Sequence, residues 1–264
     1  LFGAVVMHDS VVEHPSVGRR GGMIWIGDNS IEIGAPIGEA SPVRGFVDRW
    51  GGGMHSIALR IADLDATRAR LADLGVAVLA EVPHDIVFTR PADTAGLLLE
   101  WSAMHTDDDP RWGYPLRERT TPPLLDVREY AFVTALVDDP VAVGRRLAEL
   151  FGTVVQREAP DAPPGAIGAI VPLVDCLLLC IRLPPNGAIR AEWGQDIGRP
   201  RFHGQGLRVR DLVEATRLLA DAGIGVRPAF EGTVLVDPDA VPFPTYLFGA
   251  LLPEDPRRAA AARP

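Results

Sequence analysis

Residues 55–78, HSIALRIADLDATRARLADLGVAV, return at one constant offset as residues 203–226, HGQGLRVRDLVEATRLLADAGIGV. His55/His203, Leu59/Leu207, Arg60/Arg208, Asp63/Asp211, Leu71/Leu219 and Gly75/Gly223 are identical in the two copies. A duplication of this length restricts the fold to one that uses the same unit twice. Each copy reads as a strand feeding a helix. In the first, Ile57, Leu59 and Ile61 alternate with Ala58 and Arg60, the period of a strand with one apolar face. Asp63 or Asp65 then suits a helix N-cap, Leu64, Thr67, Leu71 and Leu74 form the stripe, and Gly75 suits the left-handed residue that ends the helix.

A finer repeat lies inside the coarse one. Residues 136–155, LVDDPVAVGRRLAELFGTVV, have the same order of strand, Asp, helix, Gly and strand, with Pro140 suited to the first helical position. Leu1-Phe2-Gly3 followed by Val5-Val6 matches Leu150-Phe151-Gly152 followed by Val154-Val155. The first copy lacks the strand and helix that precede this motif in the second, on the order of 20 residues. The expected class is therefore α+β. Tandem βαβββ modules make two domains with curved mixed sheets, and the first module lacks its opening strand and helix.

Strands are expected over residues 4–12 and 22–35, the latter split into a hairpin by Gly27-Asp28-Asn29. A short helical connection carries Phe46 and Trp50, and further strands follow near residues 85–89 and 96–102. Residues 105–127 are polar and proline-broken and read as a linker between a first domain over 1–104 and a second over 128–252. In the second domain, strands are expected over 131–137, 153–157, 166–171 and 176–183 and near 232–236 and 245–250, with a helix over 140–150. Residues 253–264 read as a solvated tail.

The net charge of −9 argues against nucleic acid or an anionic membrane as a general partner. No apolar run approaches the roughly 20 residues of a membrane helix, and residues 1–10 lack the pattern of a secretory signal, so a cytoplasmic address is expected. Cys176 and Cys180 fall in one expected strand, about 13 Å apart along it, too far to bond to each other. They read as small core hydrophobes.

At the level of motif, residues 31–61, IEIGAPIGEASPVRGFVDRWGGGMHSIALRI, resemble the middle of a methylmalonyl-CoA epimerase. The modular pattern as a whole resembles the vicinal oxygen chelate superfamily of glyoxalases, extradiol dioxygenases and bleomycin-resistance proteins. That resemblance implies a divalent metal (Mg, Mn, Co, Zn or Fe) on the concave face of the sheet. It puts Glu32 and Glu100 on the ligand positions closing the first two modules, with Glu100 also the carboxylate of proton transfer. Alternation independently sets both opposite the helix-covered side.

The histidine usual in the strand of residues 57–61 falls on Ser56, with His55 one residue early, and a one-residue shift turns a strand side chain to the other face. His55 is thus either a third ligand or a capping histidine, and its repetition as His203 favours a structural role for both. Arg60, Ser56 and Trp101 are the expected substrate contacts. Arg60 and Arg208 would either grasp an anion or pair with a carboxylate such as Glu32 or Glu100. In the second domain the ligand positions hold Phe132, Leu179, Gly204 and Leu247 or Phe248, so no metal is expected there. Trp193, Phe202, Phe243 and Tyr246 would line an apolar cup. Two functions remain open. One is a metal-dependent isomerase, lyase or dioxygenase acting on a small oxygenated substrate; the other is a metal-free protein that binds or sequesters a small molecule. Either allows a homodimer.

Overall fold

The computed structural model describes residues 1–7, 18–41, 43–82, 84–105, 109–116, 122–184 and 200–261. Trp193, and the chain around it that was expected to help form a cup, lie outside the described residues. The chain divides into two compact units. One comprises Leu1–Gly53, His105–Tyr130 and Gly206–Leu251, and the other Met54–Met104, Ala131–Gln205 and Leu252–Pro264.

In the first unit, β1 (Val5–Val6), β2 (Arg19–Ile26) and β3 (Asn29–Pro36) form an antiparallel sheet. The β2–β3 hairpin turns where the sequence required it, with Gly27 at φ 61°. Helix α1 (Arg44–Trp50) ends on Gly51, which takes the left-handed conformation. Val5, Met7 and Trp25 pack as one buried cluster. The hairpin turn is tied down by Asp28 and Asn29: the Tyr130 N–H donates to the Asp28 carboxylate at 2.7 Å, and Arg111 donates to Asn29 and Ser30.

The second unit contains β4 (Ile57–Arg60), α2 (Leu64–Asp73), β5 (Val78–Val82), β6 (Ile86–Thr89) and β7 (Leu99–Ser102), with the strands in the order β4, β7, β6, β5. Strand β4 runs parallel to β7, which pairs antiparallel with β6. The following module repeats this plan. Strand β8 (Val127–Val137), α3 (Pro140–Phe151), β9 (Arg157–Glu158), β10 (Ile167–Pro172) and β11 (Leu177–Arg182) give the order β8, β11, β10, β9, again with opening and closing strands parallel. Strand β12 (Arg201–Val209) and α4 (Leu212–Asp221) start the last module. Strands β13 (Val226–Pro228), β14 (Val234–Val236) and β15 (Thr245–Phe248) finish it, and α5 (Pro256–Ala261) follows.

The helix starts follow the expected chemistry. Asp63 accepts from the Ala66 N–H, Asp139 from Val141 and Ala142, and Asp211 from Glu214. We expect Asp63→Ala and Asp211→Ala each to cost about 1 kcal/mol in urea unfolding, with an unchanged denaturant slope. In the second unit the helix ends are tied to each other: Arg70 of α2 donates to the Glu149 carbonyl at 2.6 Å, and Arg146 of α3 donates to the Leu74 carbonyl at 2.7 Å. Cations at those ends satisfy orphan carbonyls and oppose the helix dipole. Gly144 is required where α3 meets β10, because a Cβ there would lie 2.7 Å from that of Ala169.

Three local differences from the sequence expectation have packing reasons. Strand β8 begins four residues earlier than the apolar run, held by Arg208, which grips Glu129 through both guanidinium donors. Of the expected strand over 153–157 only Arg157 lies in β9, which pairs with β10, and Val154 is 66% exposed. Residues after Leu252 are not simply solvated. Asp255 is buried and takes a hydrogen bond from the Arg257 Nη2, while Glu254 accepts from Arg157 at 2.8 Å. No described helix is long and apolar enough to cross a membrane.

Candidate functional site

Strand β7 carries the chemically unusual residue of the second unit. Glu100 is 7% exposed between fully buried Leu99 and buried Trp101. Register divides this sheet into two faces. Ile57, Leu59, Val87, Leu99 and Trp101 share one, and the Trp101 indole meets the Phe151 ring of α3 at a centroid distance of 5.9 Å. Ala58, Arg60, Phe88, Glu100 and Ser102 share the other. Ala58 and Arg60 are exposed and Phe88 is half-buried, so Glu100 belongs to the face that the helix leaves uncovered. Arg60 is the register partner of Ser102, one diagonal step from Glu100, a separation that a long side chain spans. A carboxylate withdrawn from water can move a proton, and an arginine one diagonal step away on the neighbouring strand can hold an anion.

Ser56 and His55 lie in the extended segment entering β4, both half-buried. Trp101 points to the side of the sheet opposite Glu100. Glu32 belongs to the first unit, where its carboxylate pairs with the Arg19 guanidinium at 2.9 Å and its side chain stays 39% exposed. Of the duplicated arginines, Arg208 has taken the salt-bridge alternative, with Glu129 rather than with Glu32 or Glu100 as partner.

A divalent metal would need several donors at one point. Among the described residues no three His, Cys, Asp or Glu side chains gather in that way. Phe132, Leu179, Leu247 and Phe248 are buried apolar residues. Phe202 and Tyr246 are buried as well, with Tyr246 stacked at a tilt on Phe230, 4.7 Å between centroids. Cys176 and Cys180 are free and buried, and desolvation pushes the Cys180 thiol up to about 12.

The alternation expected of β12 hides a second polar feature. Arg201, His203 and Gln205 occupy every other position of that strand, all buried, and His203 Nδ1 lies 3.3 Å from Thr134 Oγ1 of β8. Burial, aided by the nearby Arg201 charge, pulls the His203 pKa down to about 3, so the imidazole is neutral. A polar triplet at period two within an otherwise apolar strand was the signal available in the sequence.

Compared with known proteins, residues 9–163 match the family profile described as a glyoxalase-like domain. An ethylmalonyl-CoA/methylmalonyl-CoA epimerase of Cereibacter sphaeroides is 34% identical over 85 residues, which cover 29% of this chain and 63% of that protein. The chain thus spans less than two thirds of that curated relative. Among solved structures, a 4-hydroxymandelate synthase mutant from Streptomyces coelicolor is similar in fold across 94% of this chain and 87% of its own, with a TM-score of 0.60 and 14% identity. A methylmalonyl-CoA epimerase from Mycobacterium tuberculosis matches 38% of this chain and 71% of its own, with 28% identity and a TM-score of 0.35. Since the family profile takes in more than half of the 264 residues, the chain belongs to the glyoxalase-like domain family of the vicinal oxygen chelate superfamily.

Proposed function

We propose that the chain binds a small oxygenated organic anion on the open face of the β4–β7–β6–β5 sheet and moves a proton at the carbon next to its carbonyl. The observation that carries this reading is Glu100, a carboxylate 7% exposed on the sheet face where Ala58 and Arg60 are open to solvent. The Arg60 guanidinium holds the anionic end of the substrate through its planar donors. Glu100 takes the α-proton, leaving an enolate whose charge Arg60 offsets, and returns it to either side of the planar carbon. Ser56, on the approach to β4, is assigned to substrate contact. Glu32 and His55 enter no step of this reading.

Methylmalonyl-CoA, the compound in the name of the 34% identical relative, is the first substrate to test. Incubation in heavy water should incorporate one deuterium at its α-carbon, followed by mass spectrometry. Glu100→Gln should slow that exchange at least about 100-fold. Arg60→Ala should raise KM and lower kcat together, since the guanidinium both holds the anion and offsets the enolate charge. A second reading is a protein that sequesters a small molecule without changing it. It predicts saturable binding indifferent to chelator with no exchange in the wild type, and that result would remove the proton-transfer role.

A further inference from the structure

The duplication supplies its own control for the polar stripe of β12. At the constant offset His203 repeats His55, whereas Arg201 stands where the first copy has Gly53, and Gln205 where it has Ile57. The copies keep the histidine and differ at both of its neighbours on the strand face, where the second gains a cation and an amide. All three side chains are withdrawn from water, at 6%, 5% and 3% exposure. Packing alone favours apolar residues at such positions.

Thr134 fixes the face to which the stripe belongs. Its hydroxyl lies 3.3 Å from His203 Nδ1, and its register partner is Leu179, which in turn pairs with Ile170. Helix α3 covers Ala169 on the other side of the same sheet. Arg201, His203 and Gln205 therefore share with Thr134, Phe132 and Leu179 the face turned away from α3, and the last three are all 0% exposed. Phe132 and Leu179 stand at positions that the resemblance gives to a metal. What this face offers is a different chemistry, a cation, a neutral imidazole and an amide beside apolar walls.

The hydrogen bonds also assign the imidazole proton. Thr134 Oγ1 is 3.3 Å from the Gly204 carbonyl, which can only accept, so the hydroxyl donates there and its oxygen accepts from His203 Nδ1–H. The lone pair of the neutral ring is then on Nε2. About 7 Å away along the strand, the Arg201 guanidinium is oriented by its Nε, which donates to the Phe202 carbonyl at 3.2 Å. Burial pulls the Arg201 pKa down to about 10, so it stays charged at neutral pH, and a negative charge brought to it interacts more strongly than at a solvated surface.

We propose that this face of the β8–β12 sheet binds a small α-hydroxycarboxylate with an apolar body. The carboxylate is held by Arg201, and the hydroxyl donates to His203 Nε2. The Gln205 amide donates to the hydroxyl oxygen, so the hydroxyl is read both as donor and as acceptor, and the body lies against the apolar residues around Thr134. No bond is made or broken there. The site lies on a different sheet from Glu100 and does not depend on the proton transfer assigned to that residue.

The probes are lactate, hydroxyisovalerate and phenyllactate, each set beside the acid of the same skeleton without the hydroxyl, namely propionate, isovalerate and hydrocinnamate. Calorimetry measures affinity, and NMR of protein with isotopically labelled histidine nitrogens follows His203. At least one hydroxy acid should bind at least about 10-fold more tightly than its partner and shift the Nε2 resonance, as a lone pair accepting a hydrogen bond does. Arg201→Met should weaken that binding at least about 30-fold. Arg60→Ala, which removes the anion contact of the other site, should leave the His203 response unchanged, so failure of either site is read separately. Should Arg201→Met not fold, the paired acids on the wild type decide. The proposal is overturned if none of the three hydroxy acids moves the His203 resonance, if affinity is equal with and without the hydroxyl, or if folded Arg201→Met binds as well as the wild type.

Discussion

Folding stability is expected to fall by on the order of 5 kcal/mol as the pH drops from about 6.5 towards 3 through His203 alone, and His203→Gln is expected to remove that dependence. In the native state burial and the Arg201 charge hold the imidazole at about 3, against 6.5 for an unperturbed histidine. The folded pKa is depressed, so between those two values the unfolded chain binds a proton that the native chain refuses. Stability is therefore complete above pH 6.5 and is lost as pH falls, at about 1.4 kcal/mol per unit. His203 is enclosed in β12 against Thr134 rather than screened by water, so the coupling reaches the whole fold.

The lowered carboxylates Asp93, Glu158 and Glu214 act in the same direction, but they are solvent-screened and titrate only in the lower part of the window. Urea unfolding at half-unit steps from pH 7 to pH 4 separates the contributions. The wild type and His203→Gln should diverge as soon as the pH passes below 6.5, before ordinary carboxylates protonate. Parallel curves would mean that the histidine is hydrated.

What the sequence made legible is what local chemistry decides. Asp63, Asp139 and Asp211 cap helices because an N-cap oxygen has a defined N–H within three residues, and Gly27, Gly51 and Gly75 turn the chain where a left-handed residue is needed. The duplication set the module order, and the parallel pairing of opening and closing strands follows from it. Alternation sets the face of Glu100, because that depends only on the register with β4 and β6. Local pattern says nothing, however, about which side chain arrives from far along the chain. Glu32 is neutralised by Arg19 across a hairpin, Arg208 by Glu129, and the polar stripe of β12 is stabilised by a threonine from β8. The epimerase-like stretch joins Glu32 to the strand before Glu100 in sequence, yet the two carboxylates belong to different compact units.

Phe132→Ala is the substitution expected to cost most in the core, about 3 to 5 kcal/mol. The ring is fully buried in β8, paired in register with Leu177, itself 0% exposed. Register sets the ring on the sheet face opposite α3, with Leu179 and Ile170 on that same face and both 0% exposed, so the walls around a deleted ring are themselves tightly packed. The cost then includes the cavity as well as the lost transfer energy. Val174→Ala is the matching control: the side chain is 98% exposed and should change stability by less than about 0.5 kcal/mol. In urea the Phe132→Ala midpoint should drop with the slope preserved, and amides of β8 and β11 should exchange faster by the same free energy. The resemblance assigns Phe132 to a position where related modules carry a metal ligand, so a large loss would show that this half of the chain has turned that position over to packing. A small loss would mean that the face around Phe132 is mobile enough to open, and a ligand could then enter there.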